Sequence, residues 1–117
     1  WAKNIDVRVD GSITEAAVKD GYFIFEIQEG TVELLCSCEG YLSRCIDDEK
    51  TASICWGPYV LAVISNESEY ITLDIDDETT GKNLSHDGRL NFTMGDYRLL
   101  PLNRINQQNY HVYVKLK

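Results

Sequence analysis

Four cysteines are the residues of this chain whose chemistry would matter most if they met in space. They follow the spacing C-x-C-x6-C-x9-C, at Cys36, Cys38, Cys45 and Cys55. Structural zinc sites use closely spaced ligand pairs, often with helical histidines, and this spacing lacks that pattern. In a strand, Cys36 and Cys38 share a face with Val32 and Leu34, which predicts small core hydrophobes. A disulfide and a metal site remain as alternatives, and no cofactor is expected.

Carboxylates and histidines form a second group with chemical potential. Five acidic residues gather around one polar stretch, where oxygen ligands could hold calcium: Asp74, Asp76, Asp77, Glu78 and Asp87. Their spacing does not fit a calcium loop of the EF-hand type, so a solvated loop is favoured. Glu26 and Glu33 lie on adjacent predicted strands, where exposed carboxylates are more typical of a solvent face than of a glycosidase pair. His86 and His111 have no nucleophile arranged around them and are expected to be structural or surface residues.

Aromatic residues support one binding hypothesis, because sugars stack on exposed Trp and Tyr rings. The chain has seven Tyr and two Trp. The candidates for sugar or interface contacts are Trp1, Trp56, Tyr59, Tyr97 and Tyr113. The competing interpretation places Trp56, Tyr59 and Tyr110 in the core. No catalytic residue is predicted.

Length and charge limit the classes of partner. A chain of 117 residues is expected to form one domain, 1–117, with a single core. Nineteen acidic and eleven basic residues give a net charge of −8, which repels nucleic acid and anionic membranes, so both are set aside as partners. No apolar run approaches the ~18 residues of a membrane span, and no leader resembles a signal peptide. The cysteines favour a reducing, cytoplasmic setting if their thiols are free.

Short strands separated by turns must position these groups. Turn signals occur at Asp10-Gly11, Lys19-Asp20-Gly21 and Glu29-Gly30, and the patterns between turns alternate apolar and polar residues. We predict strands at 5–9, 22–27, 31–38, 70–75, 90–94, 97–100 and 110–116, and a short strand or a crossover at 41–46. The segment 12–18 is ambiguous between a strand and a helical turn. The sequence thus predicts an all-β fold, an antiparallel β-sandwich of jelly-roll or immunoglobulin-like type with about eight to ten short strands.

The run 51–65, TASICWGPYVLAVIS, is the most apolar part of the chain and has apolar residues on both strand faces. Burial on both sides follows from that pattern, so we expect a strand through the middle of the domain. Pro58 cannot donate to a sheet ladder, which predicts a bulge or a bend between sheets at Gly57-Pro58. The flanking segment 47–50 is predicted to be a solvated loop, and 76–88 a long, mobile acidic loop.

Five motifs resemble, in order, the β-sandwich region of glycoside hydrolase family 127 and its uncharacterised relatives. The opening WAKNIDVRVDG resembles that family's I-P-x-W-A segment and V-N-G hairpin, and DGYFIFEI resembles GYLxIxRxW without the final Trp. TVELLCSC resembles VxLxLPM, and ASICWGPYVLA resembles VALxxGPLVLA. PLNRINQQNYHVYVK resembles the closing PFYxIHxxRYxVYW. The resemblance covers nearly the whole chain.

The resemblance implies a non-catalytic role for this chain. Members are β-L-arabinofuranosidases and related glycosidases with an (α/α)6 barrel and appended β-sandwiches, and their catalytic glutamate and zinc-bound cysteine lie in the barrel. The cysteines here fall on sandwich strands instead. The chain is therefore expected to be an accessory sandwich that supports a catalytic barrel, with Trp1 near the barrel junction as part of an exposed apolar patch. A first residue of this kind suggests a piece of a longer polypeptide.

Departures from the family pattern leave other roles open. The closing motif has Asn103 and Asn106 where the family has an aromatic residue and a His, and Asn109 precedes Tyr110 where the family has Arg. The strand that usually precedes the first motif is missing, so an open sheet edge could form a homodimer. A carbohydrate-binding module for plant-type polysaccharides and an immunoglobulin-like interaction domain are the alternative functions.

Overall fold

A computed structural model describes residues 2–14, 17–20, 22–24, 26 and 30–117, apart from the side chains of residues 2–4, 18 and 23. The chain is all-β, as the sequence predicts, and of the antiparallel sandwich class. Its contacts divide it into two compact units, residues 2–38 and residues 39–117. Trp1, Phe25 and Ile27, which figure in the sequence interpretation, lie outside the described residues.

Five strands lie in the described part of residues 2–38. They are β1 (Ala2–Val9), β2 (Ser12–Thr14), β3 (Ala17–Lys19), β4 (Tyr22–Ile24) and β5 (Val32–Cys38). β1 lies between β2 and β5 in a three-stranded sheet, and β3 pairs with β4, all antiparallel. The described residues of the ambiguous segment 12–18 thus lie in two strands, β2 and β3.

The predicted turn at Asp10-Gly11 is confirmed as a tight hairpin between β1 and β2. Both residues have positive φ, 49° and 82°, the combination that a type I′ turn requires. The Asp10 carboxylate also accepts a hydrogen bond of 3.0 Å from the Thr31 N–H, while the Asp10 N–H donates to the Thr31 carbonyl at 2.9 Å. A side chain at Gly30 would collide with that carboxylate, so glycine is needed where the chain enters β5.

The face predicted to be buried on β5 is exposed instead. Leu34 is 63% exposed, Cys36 is exposed, and Val32 and Cys38 are only half-buried. The prediction that these side chains point into a core is therefore wrong for Leu34 and Cys36. Alternation places these four side chains on one face of β5, but no layer buries that face. Among the described side chains of residues 2–38, only Val7 is a buried hydrophobic.

Residues 39–117 form a curled nine-stranded sheet with one short helix and one 3-10 turn. The strands are β6 (Gly40–Cys45), β7 (Asp48–Trp56), β8 (Tyr59–Ile64), β9 (Thr72–Leu73), β10 (Leu84–His86), β11 (Phe92–Met94), β12 (Tyr97–Pro101), β13 (Tyr110–His111) and β14 (Val114–Leu116). The helix α1 is Thr80–Asn83 and the 3-10 turn η1 is Leu102–Arg104. The order is β10-β11-β12-β8-β7-β14-β9, with β6 added on β7 and β13 on β8. Only the β9–β14 pair is parallel among the described pairs.

The run 51–65 is a hairpin within one sheet, which corrects the expected bulge or bend between sheets at Gly57-Pro58. Trp56 pairs with Tyr59, so Gly57 and Pro58 form a two-residue turn. Gly57 has φ of 51°, and proline fixes a negative φ at the next position, the sign pattern of a type II′ turn. The missing N–H of Pro58 is harmless there because a central turn residue donates to no ladder.

The last strands of the unit fill a fork between β7 and β8. Ala52 of β7 pairs with Arg44 on one side and Val114 on the other, and Ile64 of β8 pairs with both Arg98 and Tyr110. β7 and β8 are therefore neighbours only near their hairpin. Farther from it they diverge, and β13 and β14 occupy the gap.

The core lies on the inner face of this curled sheet. Alternation puts Ala52 and Ile54 of β7 and Leu61 and Val63 of β8 on that face. Other strands and loops complete the cluster with Ile71, Leu84, Phe92, Met94, Leu99, Val114 and Leu116. Each of these side chains is at least nine-tenths buried, so residues 39–117 have a core of their own.

Two segments predicted as loops contribute to regular structure. Residues 48–50 belong to β7, with Ile46 and Asp47 making the turn before it. The stretch 76–88 contains α1 and β10, and Thr80 of α1 is fully buried. α1 packs closely on β6 because both contact positions are glycines: a Cβ at Gly40 would lie 2.9 Å from Leu84 Cδ2, and one at Gly81 would lie 3.3 Å from the Gly40 carbonyl. No helix in the described part of the chain is long and apolar enough to cross a membrane.

The assignment of faces on β8 can be tested with adjacent residues. Leu61 is 1% exposed in the core and Val60 is 38% exposed on the opposite face. We expect Leu61→Ala to lower the free energy of unfolding by about 2–5 kcal/mol and Val60→Ala to lower it by less than about 1 kcal/mol. Urea denaturation with equal m-values measures both. Equal losses would contradict the hairpin register.

Candidate functional site

The outer face of the sheet carries a cleft of about 610 Å³ between β6, β7 and β8. Ser43 of β6 is directly opposite Ser53 of β7, and Cys55 of β7 is opposite Val60 of β8. These residues lie on the face away from Ala52 and Ile54, so they form the floor of the cleft. We call this feature the outer cleft.

Three separate segments wall the outer cleft. Ile46 and Asp47 come from the turn between β6 and β7, Leu102 comes from η1, and Tyr113 comes from the break between β13 and β14. The position of Tyr113 depends on the fork, because β13 and β14 separate there to pair with different strands. Ile46 is 99% exposed and Tyr113 is 50% exposed, so the rim is largely open to solvent.

A second cleft of about 440 Å³ adjoins the first one. It shares Val60 and Leu102 with the outer cleft and adds Pro58, Tyr59 and Asn103. We call the two together the outer groove. It has a Tyr in each of its two parts, Tyr59 and Tyr113.

The outer groove contains polar groups with free hydrogen-bonding capacity. Ser53 is only 7% exposed, yet its hydroxyl has no hydrogen-bond partner among the described residues. The hydroxyls of Ser43 and Tyr113, the Asp47 carboxylate and the Asn103 amide are likewise unpaired within the described part of the chain. The Ser53 oxygen is not one of the fully enclosed polar atoms of the described residues, so it reaches solvent at the floor of the cleft and can bond to water.

The charged groups nearby give the outer cleft little attraction for anions. The Arg44 guanidinium donates to the Glu49 carbonyl at 2.8 Å and to the Asp77 carboxylate at 2.9 Å. Its positive charge is thus matched by Asp77. Asp47 adds a negative charge at the turn, so a neutral ligand suits the site better than an anionic one.

The structure separates the aromatic residues predicted as sugar or interface contacts. Trp56 and Tyr59 pack partly against the core, where the Trp56 ring lies 5.1 Å from the ring centre of His86 and 5.4 Å from that of Phe92. Tyr97 is on β12, and its hydroxyl donates to Glu67 at 3.3 Å in a different groove. Of the described candidates, only Tyr59 and Tyr113 line the outer groove, and Trp1 lies outside the description.

The four cysteines lie on three strands, β5, β6 and β7. All four are free; Cys45 and Cys55 line the outer cleft, while Cys36 and Cys38 are on β5. Burial raises the pKa of the Cys55 thiol, against a smaller opposite effect of the hydrogen bond with Tyr41. Burial, with the neighbouring Cys36 thiol, also raises the pKa of Cys38. A raised pKa keeps a thiol protonated and a poor nucleophile.

The acidic stretch 76–88 uses its carboxylates within its own structure. Asp76 Oδ1 accepts hydrogen bonds from the N–H groups of Glu78 and Thr79 and from the Thr79 hydroxyl, at 2.8 to 3.0 Å. Asp87 accepts from Arg89 N–H at 2.7 Å and from the Asn91 side chain at 2.9 Å. The Thr79 hydrogen bonds lower the pKa of Asp76, and those of Asn91 lower the pKa of Asp87. Among the described residues, no group of three or more His, Cys, Asp or Glu side chains is placed to hold a metal ion.

The two histidines each have structural contacts. The His86 ring accepts a hydrogen bond of 3.1 Å from the Gly88 N–H and packs on Trp56 and Phe92. His111 Nε2 lies 2.9 Å from the Glu67 carbonyl. Both histidines therefore make structural contacts, as the sequence predicts.

A polar cluster joins the beginning of β7 to β14. Lys115 Nζ donates to Asp48 Oδ2 and to the Thr51 hydroxyl, both at 2.5 Å, and the Thr51 hydroxyl donates to Asp48 at 2.6 Å. The Lys115 ammonium also lies 5.2 Å from the centre of the Tyr70 ring. The hydrogen bonds from Lys115 and Thr51 hold the pKa of Asp48 at about 2, below its ordinary value of 3.8.

Sequence reasoning missed the outer cleft and its serines. The signal was present in β7, where small polar Thr51, Ser53 and Cys55 alternate with apolar Ala52, Ile54 and Trp56. That alternation indicates two different faces. The walls, however, come from residues far apart in sequence, which no local pattern reveals.

Comparison with known proteins adds no assignment. No family model matches the chain. No curated protein matches it either.

The Asp48 cluster gives a pH-dependent prediction. Because the pKa of Asp48 is lower in the folded chain, its contribution to stability is present above about pH 4 and is lost as the pH falls through about 4 towards about 2. We expect Asp48→Asn to lower stability at neutral pH and the difference from the wild type to shrink across that acid range. Thermal unfolding as a function of pH measures this.

Asp47→Asn is the matched control for that experiment. It removes the same charge one position away, and the Asp47 carboxylate has no hydrogen bond among the described residues. We expect its stability difference from the wild type to be small at neutral pH. An Asp48→Asn curve parallel to the wild-type curve down to about pH 2 would contradict the role of the cluster.

Proposed function

We propose that this chain is a non-catalytic accessory β-sandwich that packs against the catalytic barrel of a larger glycoside hydrolase. The observation that carries the proposal is the exposed apolar surface of residues 2–38. Five large apolar side chains there are at least two-fifths exposed, namely Ile13, Tyr22, Ile24, Leu34 and Leu35.

The two faces of β5 show why this surface supports a docking role. Leu34 and Leu35 are adjacent in a strand, so they point to opposite faces of the sheet, and both are exposed. A small sheet is stable only when an apolar face is covered, and exposed apolar patches of a few hundred Å² commonly mark interaction sites. A partner that packs on residues 2–38 would cover this surface.

The choice of partner rests on the motif resemblance alone. The five motifs resemble, in order, the sandwich region of glycoside hydrolase family 127, in which the neighbouring domain is an (α/α)6 barrel. By that resemblance the parent is a β-L-arabinofuranosidase-like enzyme, and this chain contributes support and no catalytic group. The protonated thiols of Cys38 and Cys55, and carboxylates occupied by structural hydrogen bonds, agree with a non-catalytic role.

Two alternative functions have specific observations in their favour. A carbohydrate-binding module is favoured by Tyr113, which is half exposed at the wall of the outer cleft. An immunoglobulin-like interaction domain that forms a homodimer is favoured by the place of β5 at the edge of the described three-stranded sheet. Light scattering separates the second alternative, because a mass independent of concentration and equal to one chain would exclude the dimer.

Leu34→Asp tests the accessory role. In the isolated chain the substitution should leave the Tm nearly unchanged, because Leu34 is 63% exposed. In the full product of the encoding gene it should lower the Tm of the barrel or increase its susceptibility to proteolysis, since a charge would be buried at the interface. Differential scanning calorimetry of both proteins measures the two effects.

Ile46→Asp provides the control, because Ile46 is 99% exposed and belongs to the other unit. It should leave both proteins unchanged. A gene that encodes no helical barrel beside this chain, or Leu34→Asp and Ile46→Asp with equal effects on the full product, would overturn the proposal.

A further inference from the structure

We infer that Cys36 and Cys38 form a two-thiolate site for one soft monovalent cation of the Cu(I) type. Both residues belong to β5 and are two positions apart, so their side chains lie on the same face of the strand. A hydrogen bond joins the two thiols. The sulfur atoms of this pair are therefore neighbours in the folded chain, whereas Cys45 and Cys55 lie on other strands.

The spacing of a β-strand favours a bridging ion over a disulfide at this pair. Successive residues on one face of a strand are about 6.6 Å apart, which is twice the rise of about 3.3 Å per residue. A disulfide requires Cβ atoms about 3.5–4.5 Å apart, so a bond between Cys36 and Cys38 would require β5 to bend at Ser37. An ion with two metal–thiolate bonds of about 2.3 Å separates the sulfur atoms by up to about 4.6 Å, which rotation of the side chains can supply.

The number of ligands limits the kind of ion. Within the described part of the chain, no third His, Cys, Asp or Glu side chain is placed with the pair to hold a metal ion. Structural zinc takes four ligands, and calcium takes six to eight oxygen atoms, so neither ion suits two thiols. Soft thiolate ligands select Cu(I), whose filled d shell accepts two ligands in a line. The pair therefore fits Cu(I) better than a harder divalent ion.

The pair is open to an ion from solvent. Cys36 is exposed and Cys38 is half-buried, so binding does not require the chain to unfold. β1 has a bulge between Lys3 and Asp6, opposite Cys36. Bulges of this kind interrupt the ladder, redirect side chains and are enriched beside functional sites. The net charge of −8 also favours the approach of a cation.

Binding exchanges two protons for the ion. Each thiol loses its proton as its sulfur–copper bond forms, so one Cu(I) and two neutral thiols give a complex of charge −1 and two free protons. No electron is transferred, and no further reactant is needed.

The site does not depend on the accessory role. Leu34 shares a face of β5 with Cys36, so a barrel docked on Leu34 would lie beside the ion. Both ligands, however, come from this chain. The isolated chain should therefore bind the ion whether or not the full product of the gene contains a barrel.

Native mass spectrometry of the reduced whole chain, titrated with Cu(I) in the absence of oxygen, measures the stoichiometry. We expect one Cu(I) per chain. Competition with the coloured Cu(I) chelator bathocuproine disulfonate then measures the affinity. Cys36→Ser and Cys38→Ser should each lower that affinity by more than the roughly 10- to 100-fold that loss of a hydrogen bond supporting a metal ligand costs, because each removes a ligand itself.

Cys45→Ser is the matched control, since Cys45 is a free, half-buried cysteine on β6. It should leave the Cu(I) affinity unchanged. Cys36→Ser should also leave the Tm unchanged, because Cys36 is exposed. A loss of Cu(I) binding in that variant then reports the missing ligand and not a loss of the fold.

Phenylarsine oxide tests, without copper, whether the two sulfur atoms can share one atom. Its arsenic forms one bond to each sulfur, and its oxygen leaves as water with the two thiol protons, so no oxidation state changes. We expect one adduct per chain in the wild type and in Cys45→Ser, and none in Cys36→Ser or Cys38→Ser. Mass spectrometry counts the adducts.

Three outcomes would overturn the inference. The first is the absence of a complex with one Cu(I) per chain, and the second is an equal loss of affinity in Cys36→Ser and Cys45→Ser. The third is a complex of two chains per ion, which would place the two ligands in different chains. None of these results bears on the Leu34→Asp experiment, so the accessory role and the metal site can fail separately.

Discussion

Strand β7 is buried on both faces, and the structure of residues 39–117 depends on that constraint. On the inner face Ala52 and Ile54 join the core, while on the outer face Ser53 and Cys55 are also more than nine-tenths buried. A shift of one residue in register would exchange these two sets and place serine in the core. The Gly57-Pro58 turn fixes the register at one end of β7, and the hydrogen bonds among Asp48, Thr51 and Lys115 fix it at the other. The floor of the outer cleft therefore includes a strand whose register is fixed at both ends.

The two units differ in how far their apolar side chains are buried. Residues 39–117 curl one sheet around an apolar cluster, so their stability does not require another surface. Residues 2–38 have one buried hydrophobic among the described side chains and large apolar residues in solvent. Residues 39–117 thus have a packed core beneath the outer cleft, and residues 2–38 have an exposed apolar surface.

Alternating apolar residues and turn signals predicted most strands of the fold, because those features act over a few residues. The Asp10-Gly11 hairpin could be predicted since only a few residue pairs tolerate positive φ at both positions. The predicted bulge at Gly57-Pro58 is wrong because proline is also compatible with the second central position of a type II′ turn, for which glycine supplies the positive φ at the first. The predicted burial of Leu34 and Cys36 is wrong because alternation identifies a common face and does not say whether another layer covers it. The walls of the outer cleft could not be predicted, since Leu102 is placed by the pairing of β12 with β8 and Tyr113 by the pairing of β13 with β8 and of β14 with β7.

The fork between β7 and β8 has a consequence for the order of folding. The hairpin can form as soon as residues 48–64 are available, but its diverging ends remain without partners until β13 and β14 arrive. Lys115 and Asp48, which join across this fork, are 67 positions apart in the chain. Contacts of such high sequence separation slow folding, because a long loop must close before they form. During synthesis the diverging ends of β7 and β8 keep unpaired backbone groups until β13 and β14 have left the ribosome. Completion of this sheet thus waits for β13 and β14, and the wall of the outer cleft that holds Tyr113 forms only when they pair.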